Sequence, residues 1–281
     1  MSYSLLAATT PRRVERDGFE VDIDSSWNVI LGPNGGLVTA ALVRTAQQRF
    51  GLPVRSLTAH FMRPPVGPVI ARLTTREIRS GRTITTAAVE LWAHDKLCVT
   101  SLLALGPDRP SAEFDDSRRS LAAMPTHWPP AAFDTDVVPF RRYWSIVPTL
   151  GRESPAGHTP SAPATQAIAG GWMRPSSGER VDAAAAAAAL DGWWPALFNV
   201  MADPGPVPTI DLTVHFRRAI DCEAVFIESR TVLLADGYLD EDARVWSPDG
   251  RLLAQSRQLA AAFQPTRSAP VTTGGRDDHS G

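Results

Sequence analysis

The chain has 281 residues, 43% of them hydrophobic and 21% charged, enough to bury a substantial core in one large domain or two small ones. Lys plus Arg number 28 against 30 Asp plus Glu, a net charge of −2, so no basic field points to nucleic acid or an anionic membrane as partner. No segment approaches the roughly 20 apolar residues of a membrane span, and the apolar run of MSYSLLAATTPRR is too short for a secretory signal, so the cytoplasm is the expected location.

In chain order, Glu20–Trp27 alternates like a strand, LGPNGG (31–36) is a turn, and Leu37–Arg49 has helical apolar spacing that stops at Gly51-Leu52-Pro53. Four strand-like runs follow, near 54–62, 69–79, 82–93 and 97–105, divided by Pro-Pro-Val-Gly, Ser-Gly and His-Asp turn signals. Residues 107–133 are Pro-rich and polar and read as a linker. VVPFRRYWSI (137–146) and QAIAGGWMR (166–174) read as the opening strands of a second unit, around a loop, GRESPAGHTPSAP (151–163), expected to be mobile. A helix from about Asp182 to Met201, interrupted near Pro195, precedes strands near 208–218, 224–235, 237–246 and 251–263. The expected organisation is a unit at 15–106, a linker at 107–133, a second unit at 134–264 and a disordered tail at 265–281.

The two units are copies. SLTAHFMRP (56–64) matches DLTVHFRRA (211–219), placing His60 and His215 155 residues apart, and Trp92 and Trp246 lie 154 apart in ELWAHDKLCVTSLL and RVWSPDGRLLAQSRQ. That spacing is too long for a solenoid repeat and fits a duplicated domain. A helix against an antiparallel meander, used twice, is an α+β layer arrangement. His60 and His215 occupy matched places, so they read as parts of the shared scaffold. The six histidines have no metal-ligand spacing, and no metal or cofactor is expected. Cys98 and Cys222 sit in strand-like runs and read as small buried hydrophobes.

Residues 181–198, VDAAAAAAALDGWWPALF, put Asp191 between seven alanines and a Trp-Trp pair. An ionised carboxylate in such surroundings is costly unless it is hydrogen-bonded, which makes it a candidate base. Asp211 is its rival, and simple alternation puts it on the Thr209 face. The GxSxG, HExxH, P-loop and GxGxxG patterns are all absent, so no side-chain nucleophile or nucleotide site is indicated.

Asn34-Gly35-Gly36 before the first helix, HFMRPP (60–65), the Asp of the second helix, PTIDLTVHFRR (208–218) and GRLLAQSRQLA (250–260) together resemble the double-hotdog acyl-coenzyme A thioesterase II family and its thioesterase-like relatives, over about 15–264. The resemblance implies two hotdog units, each a sheet wrapped round a central helix, and a water-mediated hydrolysis of an acyl thioester. The residues matching the family's catalytic positions are Asp191, Thr209 and Gln258. Asp191 would be the base, while the Thr209 hydroxyl and the Gln258 amide orient the water. Along the last strand Leu252, Ala254, Ser256, Gln258 and Ala260 share a face of small residues suited to lying against a helix. The first copy has Gly35-Gly36 near the place of Asp191 and Leu103 at that of Gln258, so one acid-bearing site is expected. The N–H groups of Asn34, Gly35 and Gly36 are candidates for holding an oxyanion. Trp193, Trp194 and Phe198 are candidates for an acyl tunnel, against plain core packing. Arg63, Arg217 and Arg218 are candidates for coenzyme A phosphates, against solvated charges.

The expected partner is an acyl-CoA or a substrate linked to acyl carrier protein, with further assembly into a homo-oligomer. Two alternatives stay open: a hotdog enzyme performing dehydration or cyclisation on a thioester-linked intermediate, and a non-catalytic acyl-thioester-binding module.

Overall fold

A computed structural model describes residues 3–30, 32–129, 136, 138–151, 166–201 and 205–262. Its elements are α1 (Leu5–Thr9), β1 (Arg12–Arg13), β2 (Gly18–Ile23), α2 (Gly35–Phe50), β3 (Val54–Phe61), β4 (Val69–Ser80), β5 (Thr85–Ala93) and β6 (Lys96–Leu105), followed by β7 (Trp144–Leu150), β8 (Ile168–Pro175), α3 (Ala183–Leu190), β9 (Thr209–Phe216), β10 (Val225–Arg230), β11 (Leu234–Ala235), β12 (Tyr238–Trp246) and β13 (Leu252–Ala261). Among the described residues the strands form one antiparallel sheet in the order β1-β2-β4-β5-β6-β3-β9-β13-β12-β10-β8-β7, with β11 beside β12. The order β2-β4-β5-β6-β3 in the first unit recurs as β8-β10-β12-β13-β9 in the second. This is the expected double hotdog, an α+β fold.

The units join where β3 pairs with β9. Thr58 is the register partner of Thr213, and their hydroxyl oxygens are 3.0 Å apart. These threonines are also 155 residues apart, the offset of the sequence repeat. A residue that pairs with its own copy lies on the symmetry axis, so an approximate two-fold passes between Thr58 and Thr213.

Both central helices lie against the inner face of this sheet and against each other. They run antiparallel: Arg44 of α2 grips Asp182, the N-cap of α3, with N···O distances of 2.7 and 3.1 Å, while the far end of α3 meets the start of α2. Between these clasps Ala184 to Ala189 are all buried. An α-helix of eight residues is marginal by itself, whatever its alanine content; burial against α2 and the sheet holds it. Small side chains permit the close approach, and a Cβ on Gly36 would lie 2.5 Å from the Ala188 carbonyl oxygen.

The helix expected over 182–201 stops at Leu190, with Asp191 as C-cap at φ −118° and ψ 13°. Pro195 keeps the helix from running on to 201: it has no N–H for the carbonyl of Asp191, and its ring would clash there. A short 3-10 helix, Ala196–Asn199, follows. The strand expected over Glu20–Trp27 ends at Ile23 and gives way to a 3-10 turn at Ser25–Trp27. VVPFRRYWSI is half strand: Pro139–Tyr143 is a 3-10 helix and β7 begins at Trp144. The sequence reading missed α1, whose Leu5 is fully buried and whose Thr9 hydroxyl accepts from Arg44 Nε at 3.0 Å.

Residues 107–129 have no regular structure, yet they are fastened to the outer face of the second unit. Leu121, Met124 and Trp128 pack there on Trp172, Phe226 and Trp246, and the indoles of Trp172 and Trp246 donate to the carbonyls of Ala122 and Ser117. The tail from 265 and most of the 151–163 loop lie outside the described residues. Among those described, no helix is long and apolar enough to cross a membrane.

Gly36→Ala reads out the helix contact. An exposed helical Gly→Ala exchange stabilises by up to about 1 kcal/mol. Here the added methyl must push α3 away, so thermal unfolding is expected to show a loss of about 2 kcal/mol; a raised Tm would show that the helices are not in close contact.

Candidate functional site

The Asp191 carboxylate is held across the boundary between the two units. Its Oδ2 accepts from the Gly36 N–H at 2.7 Å and from Asn34 Nδ2 at 3.2 Å. Asn34 Nδ2 also donates to the Asp191 carbonyl at 2.9 Å, which Pro195 leaves without its helical donor. Asn34 is at the same time the N-cap of α2, its Oδ1 accepting from Leu37 N–H at 3.1 Å. The first turn of α2 thus presents its unpaired N–H groups and positive dipole end to a carboxylate of the other unit. Asp191 is half-buried, and burial pushes its carboxyl up to about 7 despite the opposing hydrogen bonds from Gly36 and Asn34.

A second acid stands beside it. Glu241 of β12 is buried and accepts from Ala196 N–H at 2.8 Å, Ser229 Oγ at 3.0 Å and Thr231 Oγ1 at 3.4 Å. Burial is the main cause that raises it to about 7, and the charge of Asp191 adds to the rise. The sequence reading missed Glu241 inside Asp240-Glu241-Asp242. Its signal is the alternation Leu239, Glu241, Ala243, Val245, which puts one acid on an apolar face.

Glu241 is the register partner of Gln258, so the two side chains project side by side from the inner face. Gln258 is buried, as are Ala254, Ser256 and Ala260 on the same face, while Arg257 faces out to Asp240 and Asp242. Thr209 reaches that face through a bulge. Gln258 pairs with Leu212, Leu259 with Asp211 and Ala260 with Thr209, the register shifting at Ile210. Thr209 therefore stands with buried Ala260, whereas Asp211 stands with exposed Leu259. The expectation that Asp211 and Thr209 share a face is corrected, because simple alternation ignores the bulge. The hydrogen bonds of the Asp191 carboxylate go to Asn34 and Gly36, and neither Thr209 nor Gln258 bonds to it directly.

The duplicated scaffold carries an internal comparison. Ala87 pairs with Leu103 in the first unit as Glu241 pairs with Gln258 in the second, and Val54 stands beside a bulge at Arg55 as Thr209 does beside Ile210. The second unit thus has Thr, Glu and Gln where the first has Val, Ala and Leu, all three buried. The N-caps Asn34 and Asp182 correspond, so Asp191, nine residues beyond its cap, matches Val43. The expectation that Gly35-Gly36 occupy the place of Asp191 is corrected accordingly: Gly36 is its hydrogen-bonding partner, and neither glycine is its counterpart.

Of the N–H groups considered for an oxyanion, Gly36 already donates to Asp191 and Asn34 to the Trp27 carbonyl, while Gly35 N–H has no partner among the described residues. Trp193 and Trp194 are buried with ring centroids 4.8 Å apart, and Phe198 is half-buried against the same core. His60 and His215 are exposed. Arg218 pairs with Asp115 at 2.9 Å, and Arg63 and Arg217 are exposed. Among the described residues no group of three His, Cys, Asp or Glu is arranged to hold a metal ion.

Residues 23–106 match the family model for the acyl-CoA thioesterase N-terminal domain, and residues 119–262 match that for the acyl-CoA thioesterase C-terminal domain. No curated protein matches the sequence. Among solved structures, a conserved hot dog fold protein of unknown function from Alicyclobacillus acidocaldarius is similar with a TM-score of 0.78 at 22% identity, over 94% of this chain and 100% of that one. A candidate thioesterase II from Thermobifida fusca is similar with a TM-score of 0.76 at 28% identity, over 92% and 97%. The acyl-CoA thioesterase II TesB2 of Mycobacterium marinum gives 0.67 at 14% identity, over 94% and 99%.

The two raised carboxyls set the sign of a pH effect. Both titrate near 4 when unfolded and near 7 when folded, so the folded protein binds more protons between these values. The stability they lend as neutral groups is whole below about pH 4 and is lost as the pH rises through about 7. Asp191→Asn and Glu241→Gln are each expected to gain stability relative to the parent between pH 5 and pH 8, on the order of 2–3 kcal/mol. Chemical denaturation at both pH values measures this, and an identical difference at the two would contradict it.

Proposed function

This chain belongs to the acyl-CoA thioesterase family, and on that premise we propose that it hydrolyses an acyl-CoA or carrier-linked acyl thioester with a water activated by Asp191. The Asp191 carboxylate takes a proton from water as the water oxygen bonds to the thioester carbonyl carbon, and the carbonyl electron pair moves onto its oxygen. Gly35 N–H, at the positive end of α2 and without another partner among the described residues, receives that oxyanion. Collapse of the intermediate breaks the C–S bond, and the leaving thiolate recovers the proton from Asp191. The products are a carboxylic acid and a free thiol. Gln258 and Thr209, on the inner face beside Glu241, orient the water. Trp193, Trp194 and Phe198 line the acyl channel.

The observation that carries this reading is a half-buried carboxyl raised to about 7 at the N-terminus of a helix from the other unit. A base with that pKa is half in its proton-accepting form at neutral pH and still basic enough to draw a proton from water. The polar substitution of one copy of the scaffold at Thr209, Glu241 and Gln258 supports the same location.

Thiol release from a panel of acyl-CoAs tests it. Asp191→Asn is expected to lower kcat/KM by about 10²-fold or more with the fold retained, and Gln258→Ala by a smaller factor. In the parent, kcat/KM should rise with pH through an apparent pKa near 7 that belongs to the Asp191–Glu241 pair. Undiminished hydrolysis by Asp191→Asn would sink the mechanism.

A further inference from the structure

The 3-10 helix at Pro139–Tyr143 buries a cation that the hydrolysis above does not use. Arg141 is 7% exposed, pairs with no acidic side chain among the described residues, and has an Nη1 that is buried without any hydrogen-bond partner. Its guanidinium carbon lies 5.0 Å from the Phe140 ring centroid and 5.4 Å from that of Trp194. Arg44 shows how this chain otherwise buries an arginine: at 8% exposure it holds both carboxylate oxygens of Asp182 and the hydroxyl of Thr9. Cation–π contact compensates part of the lost hydration of Arg141, but burial still draws its pKa down to about 10, so at neutral pH it stays a cation with no anion beside it among the described residues.

Its position ties it to the Asp191 site from two sides. Phe140 N–H donates to the Asn28 carbonyl at 3.1 Å, and the Tyr143 hydroxyl is 2.6 Å from Ser26 Oγ. These bonds fasten the segment to the loop that leads into Asn34. On the other side Trp194 follows Asp191 by three residues and packs on Trp193.

We propose that Arg141 is an anion-binding subsite of the acyl channel, and that the substrate is a thioester whose acyl chain ends in a carboxylate. The inference rests on the thioesterase reading and adds the substrate class. A guanidinium is a planar fork that matches a carboxylate with two parallel hydrogen bonds. Walled by two aromatic rings and almost closed to solvent, it suits the slender end of an acyl chain better than the phosphates of coenzyme A, which carry the bulk of a nucleotide.

The test compares succinyl-, glutaryl- and adipyl-CoA with butyryl-, valeryl- and hexanoyl-CoA on the full chain and on Arg141→Met. The parent is expected to favour the carboxylated series, and the ratio of kcat/KM between the series to fall by about 10²-fold in the variant. A parent that prefers the neutral chains, or a variant that leaves the ratio unchanged, overturns the proposal. So does an equal loss on both series that disappears with 3′-dephospho-CoA thioesters, which assigns the anion to coenzyme A. Arg141→Lys keeps the charge without the fork and should retain part of the ratio; it serves if Arg141→Met does not fold. Free glutarate and adipate supply a readout without turnover: each should raise the Tm of the parent and not that of the variant. That shift without any thiol release would leave the subsite standing and the hydrolase reading fallen; hydrolysis without carboxylate preference or shift would do the reverse.

Discussion

The hydrogen bond from Gly36 N–H to the Asp191 carboxylate is the interaction on which the arrangement of the site depends. It joins the first turn of one unit's helix to the end of the other's, and it needs both helices at close range. A carboxylate at a helix N-terminus gains up to about 2 kcal/mol from the aligned dipoles. Yet the Asp191 carboxyl is raised from 3.8 to about 7, so desolvation outweighs that gain by about 4 kcal/mol. The helix end therefore orients the acid more than it ionises it. Each feature nearby serves that approach: Gly36 has no side chain to hold α3 off, α3 is alanine up to its last residue, Leu190, and Pro195 leaves the Asp191 carbonyl free for Asn34.

Much of this is legible in the sequence. Period-two alternation found the strands of both meanders, and the 155-residue offset between His60 and His215 is the symmetry that pairs Thr58 with Thr213. Asp191 stood out because it is incongruous among alanines. What was lost had physical causes. The bulge at Ile210 turns Thr209 to the inner face, and a register shift leaves no mark in a list of residue types. Glu241 was masked by its acidic neighbours, which read together as a solvated stretch although only the middle one faces inward. The five residues of α1 are too few to show a helical period. Pro139-Phe140-Arg141-Arg142 reads as strand by its flanks, while the proline fixes a φ that suits a tight turn as well.

The two helices differ in length, and that difference makes the site. Counted from corresponding N-caps, α2 runs sixteen residues and α3 eight, so α3 is shorter by about 12 Å at 1.5 Å per residue. In the first unit α2 runs on through residues 43–50, and the inner-face positions of the sheet are the buried apolar Val54, Ala87 and Leu103. In the second unit the chain leaves the helical path at Asp191 and turns away through Trp193 and Trp194, and the matching positions are Thr209, Glu241 and Gln258. Polar side chains under an intact buried helix would be left unsatisfied at a cost of about 1–3 kcal/mol each. Beyond the end of the shortened one Glu241 finds its donors in Ala196 N–H, Ser229 and Thr231. Helix truncation and polar substitution thus go together in the second unit, because buried polar groups need the partners that an intact helix would not supply.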